Sequence, residues 1–469
     1  MFRAHSDLLK VAEIEPQTQW IKGTAPDARP RGSPIRLREL ASLPQRKLLH
    51  GVGYPVGATV CDQSAHVGEL RRWADQLAAP WTSEHLSVLE IPAADRPRSC
   101  GFLMPPLQTD AAVALIVANI KARTAAIGLP FAFETGVNYF APRPGEMPDG
   151  DFFATIAHQA GCGILLDLSN LWVNARNGRA SLDDVLRRLP LEQIWEIHLA
   201  GSAFAHDHWL DAHCGAIHPE VVAFATDIVP HVPNLGAIVF ELAPDRVATF
   251  GESAFLNQIE TLHRIWDRRL PSATIVPRAP PDRRGSATTW TQAAWETAIG
   301  ERLLPPAFRR PDPAAIPPLS PTDERSFALY ARLIESFRCG ALTDLLNNTI
   351  RLLLRALGRD ALGALLHDYV VSTSPALFPA DEALQFRHFV EQRGLPIPGL
   401  ADIVQFESAP VQAIADSVTV RVTLSRDIGR LLDDIAADRI PHPDPDETPT
   451  TLEIGADPDP FVRIVAPAG

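Results

Sequence analysis

Along the first half of the sequence an ionisable side chain closes one apolar run after another: His50 in LLHGVG, His85 in SEHL, Glu134 in FAFET, Asp167 in LLDLSN, His198 in EIHLAG and Glu241 in VFEL. Between the last two, LDAHCG adds Asp211 and His213. A single histidine or glutamate in such a place is ordinarily a satisfied polar group. A succession of them is different, because burying an unpaired charge is costly unless it is paired or metal-bound. Four imidazoles and four carboxylates are more than one six-coordinate ion can use, so the set points to two or three metal ions. Carboxylates such as Glu134, Asp167 or Glu241 are suited to bridging adjacent ions, and the imidazoles to capping single ones. Nitrogen and oxygen donors without a thiolate fit iron, manganese and zinc, but not copper(I) or an iron–sulfur cluster. Asn170, in LSNLWVNARN, offers a further carbonyl or a hydrogen bond to the ligands, whereas Asn174 in the same run reads as a structural loop residue.

Other polar groups carry less. His206 and His208 in AFAHDHW belong to a loop above the same face, where they would touch substrate or simply meet solvent. His218 precedes Pro219 at the start of a helical pattern and reads as structural, and His158 lies inside one. GVGYPVG lacks the spacing and the following Lys-Ser/Thr of a phosphate loop, and there is no GxSxG elbow. Five cysteines without CxxC spacing suggest neither a disulfide framework nor a zinc ribbon. Cys214 alone sits beside candidate ligands.

The elements that must position these residues follow from periodicity. VAEIEP, KLLHGVG, WTSEHLSVL, PFAFET, CGILLDLS, QIWEIHLAG and AIVFEL read as strands, with amphipathic segments such as DAAVALIVANIKARTAAIG and GDFFATIAHQAG between them. Strands alternating with helices mean βαβ units and a parallel sheet. Seven strands are one short of a TIM-type (β/α)8 barrel, so the first strand is expected to be missing, cryptic or replaced; an open doubly wound sheet is the competing arrangement. The barrel is favoured because it brings strand carboxyl ends from all round onto one face.

Residues 1–270 are thus expected to form the barrel domain. Residues 271–321 hold 11 of the 43 prolines and read as a linker, in which TTWTQAAWETAIGE forms a short helix. Residues 322–469 are expected to form a second, mostly helical domain, with TLEIGADPDPFVRIV as a terminal β-hairpin. A net charge of -13 argues against nucleic acid or an anionic membrane as partner. With no apolar run of signal or spanning length, the expected location is the cytoplasm.

The ordered run LLHGVG, SEHL, FETGVNYF, GCGILLDLSNLWVNARN, EIHLAG, LDAHCG and FEL resembles the multinuclear non-heme iron-dependent oxidases that modify ribosomally made peptides, including the methanobactin biosynthesis oxidase, over about residues 8–267. The resemblance implies a TIM barrel, two or three iron ions and dioxygen as co-substrate for oxidation of a precursor-peptide residue. It also implies that the ligands fall on His50, His85, Glu134, Asp167, His198, Asp211, His213 and Glu241, with Asn170 as a ninth. The sequence departs from the family in lacking a further Gly-rich first strand, in reading HLAGS with Ser202 at the final position, and in having Ser169 before Asn170. Residues 322–469 resemble the separate partner protein that helps such oxidases bind the precursor, which implies a natural fusion able to bind a leader peptide. The rival readings are a zinc- or manganese-dependent barrel hydrolase or isomerase, and a binding protein with a vestigial cluster.

Overall fold

The computed structural model describes residues 5–22, 29–61, 64–270, 289–310, 316–416, 418–443, 449–455 and 461–465. Its centre is a seven-stranded parallel sheet in strict sequence order: β1 (Val11–Ile14), β2 (Arg46–Gly51), β3 (Thr82–His85), β4 (Phe131–Glu134), β5 (Gly163–Asp167), β6 (Ile194–Ala200) and β7 (Ala237–Glu241). Strands such as FAFE and GILLD are buried at every position, as a parallel sheet covered on both faces requires. The sheet curls into a nearly closed barrel. β1 and β7 face each other across a seam without a shared ladder, and among the described residues no eighth strand joins the sheet.

Helices α1 (Ser64–Leu77), α2 (Asp110–Ile127), α3 (Asp149–Ala160), α4 (Leu168–Arg176), α5 (Pro219–Ile228) and α6 (Glu252–Trp266) surround the barrel. Local chemistry fixes their ends. Thr109 accepts the backbone N–H of Ala112 at the start of α2, and Gly128 leaves it with φ 78°, a left-handed conformation that glycine adopts without cost. WTSEHLSVL, read as one strand, is two: it breaks after His85, and Val88–Ile91 turns outward to pair with Arg98–Met104. AFAHDHW is not a loop. Ser202–Ala205 and His208–Asp211 form a hairpin whose turn residues, His206 and Asp207, both have positive φ.

The helix expected in the Pro-rich stretch is α7 (Gln292–Leu303), with Trp295 buried against the barrel's helical layer. Residues 271–288 and 311–315 of that stretch lie outside the described residues. The C-terminal region is helical: α8 (Pro321–Leu345), α9 (Asn347–Leu357), α10 (Arg359–Ser372), α11 (Pro379–Arg393), α12 (Leu400–Asp416) and α13 (Ile428–Ala436). Ser320 and Asp323 make a capping box at the start of α8. The terminal hairpin is part of a three-stranded antiparallel sheet, since β8 (Val420–Leu424) joins β9 (Thr450–Gly455) and β10 (Phe461–Val465). The turn at residues 456–460 lies outside the described residues.

Phe327, Leu329 and Tyr330 of α8 belong to the barrel's own core cluster, and Phe378 joins Trp20 and Trp73 near the amino terminus. No described helix is long and apolar enough to cross a membrane.

Candidate metal centre

Register brings the candidate residues together before any side-chain geometry is considered. His85 stands directly beside Glu134, and Asp167 beside His198, on adjacent strands. Because side chains alternate along a strand, neighbours in register point to the same side. For these pairs that side is the barrel interior, near its carboxyl end.

Three interlocking groups result. In the first, Glu134 Oε2 lies 3.1 Å from His50 Nε2 and 2.6 Å from His85 Nδ1. The two imidazole Nε2 atoms are 3.2 Å apart, and Ser83 Oγ, 2.9 Å from His50 Nδ1, holds the other side of that ring. In the second, Glu134, Asp167 and His198 each offer a donor atom within 4.8 Å of the others. Asp167 also caps α4, accepting the Asn170 N–H at 2.7 Å. The Asn170 amide donates to Asp167 Oδ2 at 2.9 Å and to Glu134 Oε1 at 3.4 Å, leaving its carbonyl oxygen without a hydrogen bond. In the third, His213 Nε2 is 3.1 Å from Asp211 Oδ1 and 3.5 Å from Glu241 Oε2. Glu241 Oε1 lies 3.3 Å from His198 Nδ1, linking the third group to the second.

Two carboxylates overlooked in the sequence join them. Glu13 of β1 places Oε1 3.0 Å from His198 Nε2, and forms a further possible trio with His198 and Glu241. Glu15, one residue beyond β1, carries charge close enough to act on His50, Glu241, His213 and His85. Their signal was present in the alternation of VAEIEP, which reads as a strand with one solvated face. In a barrel that face turns inward.

Many of these close contacts are not aligned as hydrogen bonds. Glu13 Oε2, Glu134 Oε2, both ring nitrogens of His198, Asp211 Oδ1 and Glu241 Oε2 are buried and unsatisfied. Native chains satisfy nearly all buried polar atoms, so such a concentration of orphans is what a cation site looks like when only its donors are considered. The donor set therefore fits the metal ions that the sequence implies.

The electrostatics agree. Burial works against the Glu134 carboxylate, but His85 and His50 hold its pKa well below the ordinary value. Glu241 is likewise held down to about 2, against burial, by His198 and His213. Burial, reinforced by Glu134, Asp211 and Glu241, drives Asp167 well above its ordinary value, and burial raises Glu13 to about 8 and also raises Glu15. Burial would lower His50, yet its contact with Glu134 and the charge of Glu13 raise it to about 10. His198 and His213 also rise, against burial, through Glu13 and Glu241 for the first and Asp211 and Glu241 for the second. The carboxylates that would bind cations thus favour the protonated forms of His50, His198 and His213.

The remaining candidates fall where their local chemistry puts them. Asn174 accepts the Asn138 N–H and donates to Gly136 O, pinning the loop after β4. His218 caps α5 by accepting the Glu220 N–H. His158 lies within α3 and Cys214 is half-buried. His206 is exposed at the hairpin turn, 3.2 Å from Arg332 of α8, and His208 Nδ1 is 2.8 Å from His206 O. Ser169 Oγ accepts the Ala200 N–H at 2.7 Å, tying α4 to the end of β6.

A cavity of about 1000 Å³ follows the seam. Val11, Glu13 and Glu15 line it on the β1 side, Phe240, Glu241 and His213 on the other, with Trp266 of α6 behind. Its lining runs from the donors Glu13, His213 and Glu241 to apolar residues such as Ile259, Leu262 and Trp266.

Residues 9–247, which include every one of these donors, match the family described as RiPP precursor modification enzyme MbnB/TglH/ChrH. The chain belongs to this family. A UPF0276 protein of Chromobacterium violaceum is 30% identical over 243 residues, covering 52% of this chain and 87% of that one. Another, from Anaeromyxobacter sp., is 28% identical over 242 residues, covering 49% and 84%. Among solved structures, a xylose isomerase domain containing protein of Salmonella typhimurium covers 56% of this chain and 90% of its own, at 14% identity and a TM-score of 0.36. A D-tagatose 3-epimerase-like protein covers 55% and 88%, at 11% identity and a TM-score of 0.33. As a RiPP precursor modification enzyme, the chain carries its matched portion entirely within the barrel, and residues beyond 247 lie outside the match.

Proposed function

We propose that this chain is an oxygen-dependent multinuclear non-heme iron enzyme that oxidises a residue of a ribosomally synthesised precursor peptide, at cysteine, another side chain or the C-terminal residue. The observation that carries this reading is the set of interlocked donor groups with buried, unsatisfied atoms, inside a chain of the RiPP precursor modification family. Two or three iron ions would be held by His50, His85 and Glu134, by Glu134, Asp167 and His198, and by Asp211, His213 and Glu241, with Asn170 orienting Asp167 and Glu134. Bound iron would supply the activation of dioxygen.

The chain's own part is positional. The barrel wall keeps the donors at fixed separations, and the buried strand ends exclude water from one side of the reacting atoms. His206 and His208, on the hairpin above the face, would contact the entering peptide. Residues 1–270 would be the oxidase domain, 271–321 the linker and 322–469 the partner supplied in cis. A leader peptide would add as a strand to an edge of the terminal sheet, where Phe461, Val462 and Ile464 of β10 are exposed. Such work belongs in the cytoplasm, where precursors are made.

The test is co-expression with a precursor peptide encoded nearby. A mass change in the peptide that requires oxygen and disappears in His85→Ala and Glu134→Ala supports the reading. Stoichiometric zinc after anaerobic purification, with full activity in the absence of oxygen, overturns it.

A further inference from the structure

The C-terminal region touches the barrel at a residue that in turn touches the metal face. Tyr139 lies in the loop after β4, 6% exposed. Helix α8 grips both of its backbone polar groups: the Tyr139 N–H is donated to Tyr330 Oη at 3.4 Å, and Ser326 Oγ donates to Tyr139 O at 2.8 Å. Both partners are themselves buried, Tyr330 at 0% and Ser326 at 2% exposure. Around them Phe140 stacks on Tyr330 with ring centroids 5.3 Å apart, and Arg143 pairs with Asp323 of α8 at 2.8 Å. The far end of Tyr139, its phenol oxygen, accepts the backbone N–H of Asp211 at 3.2 Å.

Asp211 ends the hairpin, and its Oδ1 is one of the buried, unsatisfied atoms beside His213. The short segment Asp211 to His213 is otherwise held by the pairing of Asp211 with Ser202 across the hairpin and by two backbone hydrogen bonds. Ala243 N–H binds His213 O, Cys214 N–H binds Gly201 O, and His213 itself has a φ of 45°. A non-glycine residue in that region persists only where its surroundings hold it.

We propose that Tyr139 is a positioning residue through which helix α8 completes the metal centre, by fixing the backbone of Asp211 and with it the Asp211–His213–Glu241 donor group. The C-terminal region then contributes to metal affinity as well as to any peptide binding. This rests on the reading of Asp211 as a metal donor, and the experiment separates the two claims.

Full-length protein stripped of metal is titrated with cobalt(II), whose absorption bands report the ligand field, in the wild type and in Asp211→Asn, Tyr139→Phe, Tyr330→Phe and Ser326→Ala. Removing a group that orients a ligand weakens metal binding about 10- to 100-fold. Tyr139→Phe is expected to show that loss, with altered bands, while its ring packing and thermal midpoint stay near wild type. Ser326→Ala and Tyr330→Phe are expected to weaken the same binding step, and to add nothing in a Tyr139→Phe background, because they act through that residue. If Asp211→Asn binds cobalt as the wild type does, the donor reading fails. If Asp211→Asn loses binding and Tyr139→Phe does not, or the α8 variants are additive with Tyr139→Phe, the relay is refuted.

Discussion

Glu134 is the carboxylate on which the centre turns, and Glu134→Gln isolates its charge while keeping its shape. Its Oε2 lies 3.1 Å from His50 and 2.6 Å from His85, with the Glu134 side chain only 2% exposed. Breaking a buried ion pair by neutralising one partner costs about 3–5 kcal/mol. For a barrel of this size that is a fall of roughly 6–10 °C in the thermal midpoint. The sign with pH follows from the direction of the shift. The folded-state pKa of Glu134 is depressed, so its contribution is fully present above its unfolded value of 4.5 and is lost as pH falls through the folded value. The wild type and the variant should therefore differ most near pH 7 and converge in acid. With metal added, Glu134 belongs to two of the donor trios, so the glutamine variant should lose more than one ion's worth of metal by elemental analysis. The assay is thermal unfolding of chelator-treated protein from pH 3 to 8, followed by metal counting on reconstituted samples. A midpoint within 2 °C of wild type at pH 7, or an undiminished metal complement, would refute the reasoning.

Two further outcomes follow from the same geometry. A Cβ at Gly201 would collide with the carbonyl of Cys214, so Gly201→Ala should displace the Asp211–His213 segment and lower metal content, while helical circular dichroism remains near wild type. Burial raises the thiols of Cys100 and Cys162 to about 12, leaving about one molecule in ten thousand as thiolate at pH 8. Iodoacetamide at that pH should mark the partly exposed Cys61 and Cys214 first by peptide mass mapping, and early labelling of Cys100 would contradict the packing around it.

Much of this was legible in the sequence because buried parallel strands leave a plain signature. FAFE and GILLD could hardly be anything but covered strands, and a charged residue at the end of each had to be explained. What escaped did so for physical reasons. Glu13 and Glu15 alternate with Ala12 and Ile14 in the pattern of an ordinary half-exposed strand, and only barrel curvature makes their face an interior one. The hairpin at 202–211 was hidden because His206 and Asp207 replace the Asn-Gly that usually marks two residues of positive φ. β8 was missed because its partner β9 lies about thirty residues further on, and strand pairing over such separations leaves no local trace. Tyr139 gave no signal at all: its part depends on a helix some 190 residues away.

The open seam has a mechanical consequence. A barrel laced by backbone hydrogen bonds all round has a fixed girth, but this one is unlaced between β1 and β7. Outside the seam, His5 reaches Glu252 and His263 reaches Leu8 O, so side chains rather than a ladder hold the two edges. Inside it, Glu13 comes from one edge and Glu241 from the other, with His198 between them. A cation held there would act as a stitch across the gap, making the metal a structural fastening of the barrel as well as its chemistry.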